Sequence, residues 1–141
     1  SNYAAVACPD FPTCQNEWLP DMDFQQGFNV LQEVGPNYLG GAMANEARMA
    51  IHFSHRIGAL ITTVLLLLLA WRLWRSEWSP ARRMAPTLTV VLGLQVLLGI
   101  GNVVLQFPLW VAVAHNLGGA FLLLTLVTIN YGLWTAREPH R

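Results

Sequence analysis

The sequence predicts an all-α membrane protein with three transmembrane helices behind an external, cysteine-containing N-terminal segment. Composition is the first observation: the 141 residues are 54% hydrophobic and only 11% charged, against roughly 25% charged in an ordinary soluble domain. The second is that the apolar residues collect in Met49–Trp71, Ala85–Phe107 and Leu109–Trp134, stretches of 23, 23 and 26 residues. About 20 apolar residues span a bilayer core, and buried helices of a soluble protein rarely run so long without a polar face. The third is a lopsided charge distribution. Together these divide the chain into an external segment at 1–46, membrane helices at 47–135 and a tail at 136–141.

In chain order, residues 1–23 are rich in turn formers, with Cys8-Pro9-Asp10-Phe11-Pro12-Thr13-Cys14 followed by Pro20, and no helix crosses such a stretch. Cys8 and Cys14 are the only cysteines. Five intervening residues, two of them prolines, can bend to bring the pair within bonding distance, and an oxidising compartment favours a disulfide. Such a short loop contributes roughly 2 kcal/mol in the entropic model. A redox-active pair is the alternative, since short external disulfides can be labile. Zinc needs two further ligands, and no external histidine is near in sequence. Asp23 is placed to cap a short helix over 24–34 that ends at Gly35-Pro36. Phe24, Phe28 and Leu31 give it one apolar face, which suits a bilayer surface or the mouths of the spans, or an ordinary surface helix. Residues 37–45 read as a loop, with Asn45 capping the first span. The second and third spans meet at Gln106-Phe107-Pro108-Leu109 in a tight antiparallel hairpin. There is no internal repeat.

Charge orients the spans. Arg72, Arg75, Arg82 and Arg83, opposed only by Glu77, lie between the first and second, and Arg137 and Arg141 follow the third. The first 46 residues carry Asp10, Glu17, Asp21, Asp23, Glu33 and Glu46 with no basic residue. The positive-inside rule puts residues 72–84 and the C-terminus in the cytoplasm and the N-terminal segment outside. In a bacterium this is an inner-membrane protein with a periplasmic N-terminal segment. A net charge of zero argues against nucleic acid as a partner. The absence of an initiator methionine and of a signal peptide predicts that the chain begins inside a longer protein.

His55 and His115 lie near the outer ends of the first and third spans. Ionisable side chains in hydrocarbon are costly and usually face a bundle interior, where they do a job. With the first helix starting at Ala47 and the third at Leu109, the two rings lie ~12 Å and ~9 Å along their axes at 1.5 Å per residue. Imidazoles at matched depth can hold a haem iron between them as axial ligands; the bland alternative is two histidines hydrogen-bonded between helices. Gly58, at i+3 from His55, and Gly118 and Gly119, at i+3 and i+4 from His115, leave room for a porphyrin or serve close helix packing. Gly99 and Gly101 on the middle span serve either purpose too. Arg56 can pair with a haem propionate or snorkel to lipid headgroups. His52, one turn outside His55, is a supporting group, a propionate partner or simply solvated. His140 lies in the polar tail and carries no signal.

Taken together, the external Cys8-Pro9-Asp10-Phe11-Pro12-Thr13-Cys14, the His55-Arg56-Ile57-Gly58-Ala59 run, Leu94-Gln95-Val96-Leu97-Leu98-Gly99 and Leu109-Trp110-Val111-Ala112-Val113-Ala114-His115 resemble the C-terminal half of haem A synthase. That family consists of two pseudo-equivalent four-helix halves, each with a histidine pair and an external loop. It oxidises a methyl group of haem O to the formyl group of haem A during cytochrome oxidase assembly. The resemblance implies that this chain belongs to a four-helix haem-binding bundle whose b-type haem iron is held by His55 and His115. Haem O, the other half of the protein and the lipid membrane are the implied partners. The substrate-haem half carries a glutamate three residues before its first histidine; here that position is His52. The helix that the family places ahead of the external loop has no counterpart here, so catalysis by this chain alone is not expected. The competing readings are a non-enzymatic cytochrome b linked to quinone and a quinone-linked thiol oxidase using Cys8 and Cys14.

Overall fold

A computed structural model describes residues 7–29 and 43–136. Its elements are α1 (Phe24–Gly27), α2 (Asn45–Trp74), α3 (Ser79–Val104) and α4 (Leu109–Thr135). The last three are long and apolar enough to cross a membrane. There is no strand among the described residues, only an isolated bridge between Cys14 and Glu17. The chain divides into two compact units, Ser1–Leu60 with Ile100–Leu109, and Ile61–Gly99 with Trp110–Arg141.

In the first unit, the N-terminal loop packs on the start of α2. Ala7, Cys8 and Cys14 are buried with Met49, and Met22 packs against them. The short helix is shorter than its apolar pattern predicts. Asp23 caps it as expected, its carboxylate accepting from Gln26 N at 2.9 Å, but the helix stops at Gly27 and Phe28 occupies the C-cap. The rest of the predicted segment, from residue 30, lies outside the described residues, as does Gly40-Gly41. Packing explains the early stop: a Cβ on Gly27 would lie 2.8 Å from the Ala47 carbonyl oxygen, and Asp23 N donates to Glu46 O. The turn is therefore fixed against α2 rather than extended by its own periodicity. At the start of α2, the Ala44 carbonyl accepts from Arg48 N. Ala44 thus takes the cap position, and Asn45, expected there, is the first helical residue.

Between α3 and α4 the chain reverses through a Schellman motif. Phe107 N donates to Asn102 O and Gln106 N to Val103 O, the pair of bonds that satisfies the last carbonyls of a helix. Gln106 and Phe107 both have positive φ, 59° and 60°, where glycine is the usual residue. Pro108 then prevents the helix from resuming.

The second unit is built on small residues. Ala81, Ala85 and Leu88 are buried at i, i+4 and i+7 on α3 and meet Ala70 and Leu73 of α2 and Ile129 of α4. Apolar association gains little in lipid, so close contact through small side chains has to hold spans together. The outward faces carry exposed Ile61, Leu65, Leu94, Leu97, Phe121 and Leu124, as lipid contact requires. α3 starts six residues before the predicted Ala85, at Ser79, and runs through Pro86. Proline frees the carbonyl four residues earlier. That carbonyl belongs to exposed Arg82, near the polar end of the helix, where water can satisfy it.

Candidate functional site

The N-terminal loop has a defined architecture. Cys8 and Cys14 are joined, with Sγ–Sγ 1.99 Å and Cα–Cα 4.6 Å. Gln15 and Asn16 follow with φ of 55° and 64°, and Cys14 and Glu17 exchange backbone hydrogen bonds across them. Two successive residues of positive φ define a type I′ turn. Asp10 organises this turn. Its carboxylate accepts from Gln15 N at 2.7 Å, from Asn16 N at 2.9 Å and from the Thr13 hydroxyl. Burial works to raise the Asp10 pKa, but these hydrogen bonds outweigh it and hold the carboxyl lowered to about 2.

Arg56 reaches into the loop from α2. Its guanidinium donates to Thr13 O and Asp10 O at 2.7 Å each, to Pro12 O at 3.2 Å and to Cys8 O at 3.3 Å. Its Cζ also stands 5.6 Å from the centre of the Phe11 ring. A planar fork of donors suits such a basket of carbonyls where an ammonium would not. The residue next to His55 is thereby fastened to the disulfide loop across more than 40 residues of sequence, a link the sequence alone does not announce.

His55 is exposed on α2, and a Cβ on Gly58, one turn further, would meet no atom within 4 Å. His52 is buried, 6% exposed, with its ring edge-on to Phe107 at 6.4 Å between centroids. It is therefore a packed group near the start of α2 and not a solvated one.

In the second unit His115 is half-buried, and its ring lies against α3. A Cβ on Gly99 would be 3.1 Å from His115 Cε1. Gln95, one turn from Gly99, lies against Gly118 and Gly119 of α4, and its Oε1 is buried without a hydrogen-bond partner. Sequence reading placed Gln95 only within a motif; its contact with the glycine pair emerges from the packing of the helices.

Imidazole is chemically able to bind a haem iron; beside His55 a Cβ on Gly58 would meet nothing within 4 Å, while the glycines beside His115 are met by its own ring and by Gln95. No group of three or more His, Cys, Asp or Glu that could hold a bare metal ion occurs among the described residues.

A polytopic helical membrane protein with histidines in two spans and a disulfide loop fastened beside one of them is the class defined so far. Residues 1–127 match the COX15-CtaA model, described as a cytochrome oxidase assembly protein. The chain is 49% identical over 134 residues to heme A synthase of Shewanella oneidensis, covering 95% of the chain and 40% of that protein. It is 31% identical over 117 residues to heme A synthase of Paracoccus denitrificans, covering 83% of the chain and 28% of the relative. For the Erythrobacter litoralis heme A synthase the identity is 33% over 88 residues, covering 62% of the chain and 25% of the relative. No solved structure matches the chain. This chain belongs to the COX15-CtaA family of cytochrome oxidase assembly proteins and spans well under half the length of these relatives.

Proposed function

We propose that this chain is the part of a haem A synthase that holds a b-type haem, with His55 and His115 as its axial ligands, in an enzyme that oxidises a methyl group of haem O to the formyl group of haem A. The observation that carries the reading is the setting of the two histidines within a chain 49% identical to a heme A synthase over nearly its whole length. Each histidine stands beside glycine on a long apolar helix. Counted from Ala47 and Leu109, the two rings lie ~12 Å and ~9 Å along their helices, at similar depth. A bound haem, held by His55 and His115, would supply one-electron transfer.

The protein's own contribution is to hold and orient. α2 presents His55 on an open face, α4 presents His115 against Gly99, and Arg56 ties the start of the first span to the external loop. Its fixed charge beside His55 also makes Arg56 the proposed partner of a haem propionate. The outer ends of the spans and the disulfide loop face the periplasm in this reading, and the arginine-rich 72–83 segment faces the cytoplasm.

The test is spectroscopic. The haem-loaded protein purified from membranes gives a low-spin b-type spectrum, because two imidazoles are strong-field ligands, and His55→Ala and His115→Ala each abolish or convert it. Unchanged spectra in both variants overturn the assignment. A cytochrome b that only passes electrons would share the spectrum, so chromatographic detection of haem A, formed by the intact protein from haem O, separates the two functions.

A further inference from the structure

Two polar side chains of the second unit are each seated on glycine of the opposite helix. A Cβ on Gly99 would lie 3.1 Å from His115 Cε1, 3.6 Å from Nδ1 and 3.9 Å from Nε2. The imidazole therefore turns its Nδ1–Cε1–Nε2 edge toward the bare backbone of α3. One turn away, a Cβ on Gly118 would collide with Gln95 Oε1, and one on Gly119 would lie 3.4 Å from Gln95 Nε2. The spacing follows from the hairpin itself. Gly99 and His115 are each eight residues from Phe107, and Gln95 and Gly119 are each twelve. In an antiparallel pair such positions face each other. The pairing continues toward the far end, where a Cβ on Gly132 would lie 2.9 Å from Met84 Cε.

We propose that Gly99 and Gln95 are positioning residues for His115: Gly99 is the seat that sets the direction of its imidazole, and Gln95 in the Gly118–Gly119 notch sets the height and rotation of α4. The proposal rests on His115 being an axial ligand. The iron–nitrogen bond lies in the plane of the imidazole, so whatever sets the ring's tilt sets the direction of that bond. Productive ligand geometry tolerates roughly 0.5 Å and 10–20°. A methyl group at residue 99 would occupy ground within 3.1 Å of the ring edge, and the ring must turn or retreat by a few tenths of an ångström. Gln95 acts from further away. A buried amide oxygen without a donor is costly, and an apolar side chain would suit a lipid-embedded helix better. What Gln95 supplies is a side chain whose bulk fills the double-glycine notch, so that α4 cannot rotate about its axis without a clash.

The test uses the haem-loaded protein purified from membranes, read by electron paramagnetic resonance, midpoint potential and haem retention on dilution. Gly99→Ala keeps a low-spin signal with displaced g values and binds haem about 10-fold to 100-fold more weakly, the range typical for losing a group that orients a metal ligand. Gly99→Val loses the low-spin signal. Gly93→Ala, on the same helix with no atom within 4 Å of its added Cβ, matches wild type and controls for helix propensity. Gln95→Ala displaces the g values, whereas Gln95→Leu, which keeps the bulk, restores them; neither introduces an oversized side chain. Wild-type g values and haem retention in both Gly99→Ala and Gln95→Ala, with His115→Ala still abolishing the signal, overturn this proposal and leave the ligand assignment standing. An unchanged spectrum in His115→Ala removes the ligand assignment itself, and the proposal with it.

Discussion

Arg56 shows how a single residue joins two parts of the molecule that sequence reading kept apart. Its position beside His55 was plain; its four carbonyl acceptors in the Cys8–Cys14 loop were not, because backbone acceptors leave no mark in a sequence. Removing the guanidinium releases bonds worth about 1.5–3 kcal/mol for each well-made one to a charged donor. Arg56→Ala is therefore expected to loosen the loop and speed reduction of the disulfide by a water-soluble phosphine. Arg56→Lys does so to a lesser degree, since a single ammonium cannot span the basket. Equal rates for wild type and Arg56→Ala would show that the contacts do not hold the loop closed. Asp10 adds a pH dependence of known sign. Its carboxyl has a folded pKa lowered to about 2 from an ordinary 3.8, so its contribution is fully present above pH 4 and is lost as pH falls toward 2. The wild-type loop should become easier to reduce across that window, whereas Asp10→Asn should be easy to reduce at pH 5 and flat below. A wild-type profile in the Asn variant would dissociate the carboxylate from loop stability.

At the level of elements, the three spans and the hairpin were legible because apolar run length is a strong and nearly unambiguous signal. Helix ends were less so, and each displacement has a local cause. α3 begins at Ser79, ahead of the apolar stretch that starts at Ala85, because a proline near the exposed end of a helix frees only a carbonyl that water can reach. The turn over Phe24–Gly27 obeyed its Asp23 cap but not its apolar periodicity, because contact with Ala47 fixes Gly27. The α3–α4 reversal was legible from Pro108, while the Schellman bonds were hidden by the absence of glycine at its left-handed position. That last mismatch makes a prediction. An L-residue in the left-handed region costs roughly 1–2 kcal/mol, and glycine gives back about 0.5–1 kcal/mol in unfolded-state entropy. Gln106→Gly, at φ 59°, should thus stabilise the hairpin by about 0.5 kcal/mol or slightly more, seen as a small rise in thermal unfolding temperature in detergent. A drop of several degrees would mean that the Gln106 side chain makes a contact that outweighs its backbone cost.

For the whole molecule, charge and chemistry make separate predictions. Arginines at 72, 75, 82 and 83, set against an N-terminal segment of 46 residues without a basic one, predict an external loop and an internal α2–α3 connection. Cys8 and Cys14 should resist an impermeant thiol reagent on intact cells until reduced, and a reporter fused after Arg141 should behave as cytoplasmic; an external reporter would reverse the orientation. The chemical prediction concerns sufficiency. This chain corresponds to 40% of the length of the Shewanella oneidensis heme A synthase, and the resemblance that suggests a haem site also separates that haem from the substrate. That resemblance assigns the substrate half a glutamate at the position His52 occupies here. His52 is buried against Phe107, and an imidazole, neutral or cationic, cannot supply the fixed negative charge that would steady a positive centre developing at an oxidised methyl group. Expressed by itself, the chain should bind haem and leave haem O unconverted, while co-expression with the remaining length of a relative should yield haem A. Chromatography of extracted haems reads both outcomes directly. Haem A made by this chain alone would place the oxidising site here and make His52 part of it.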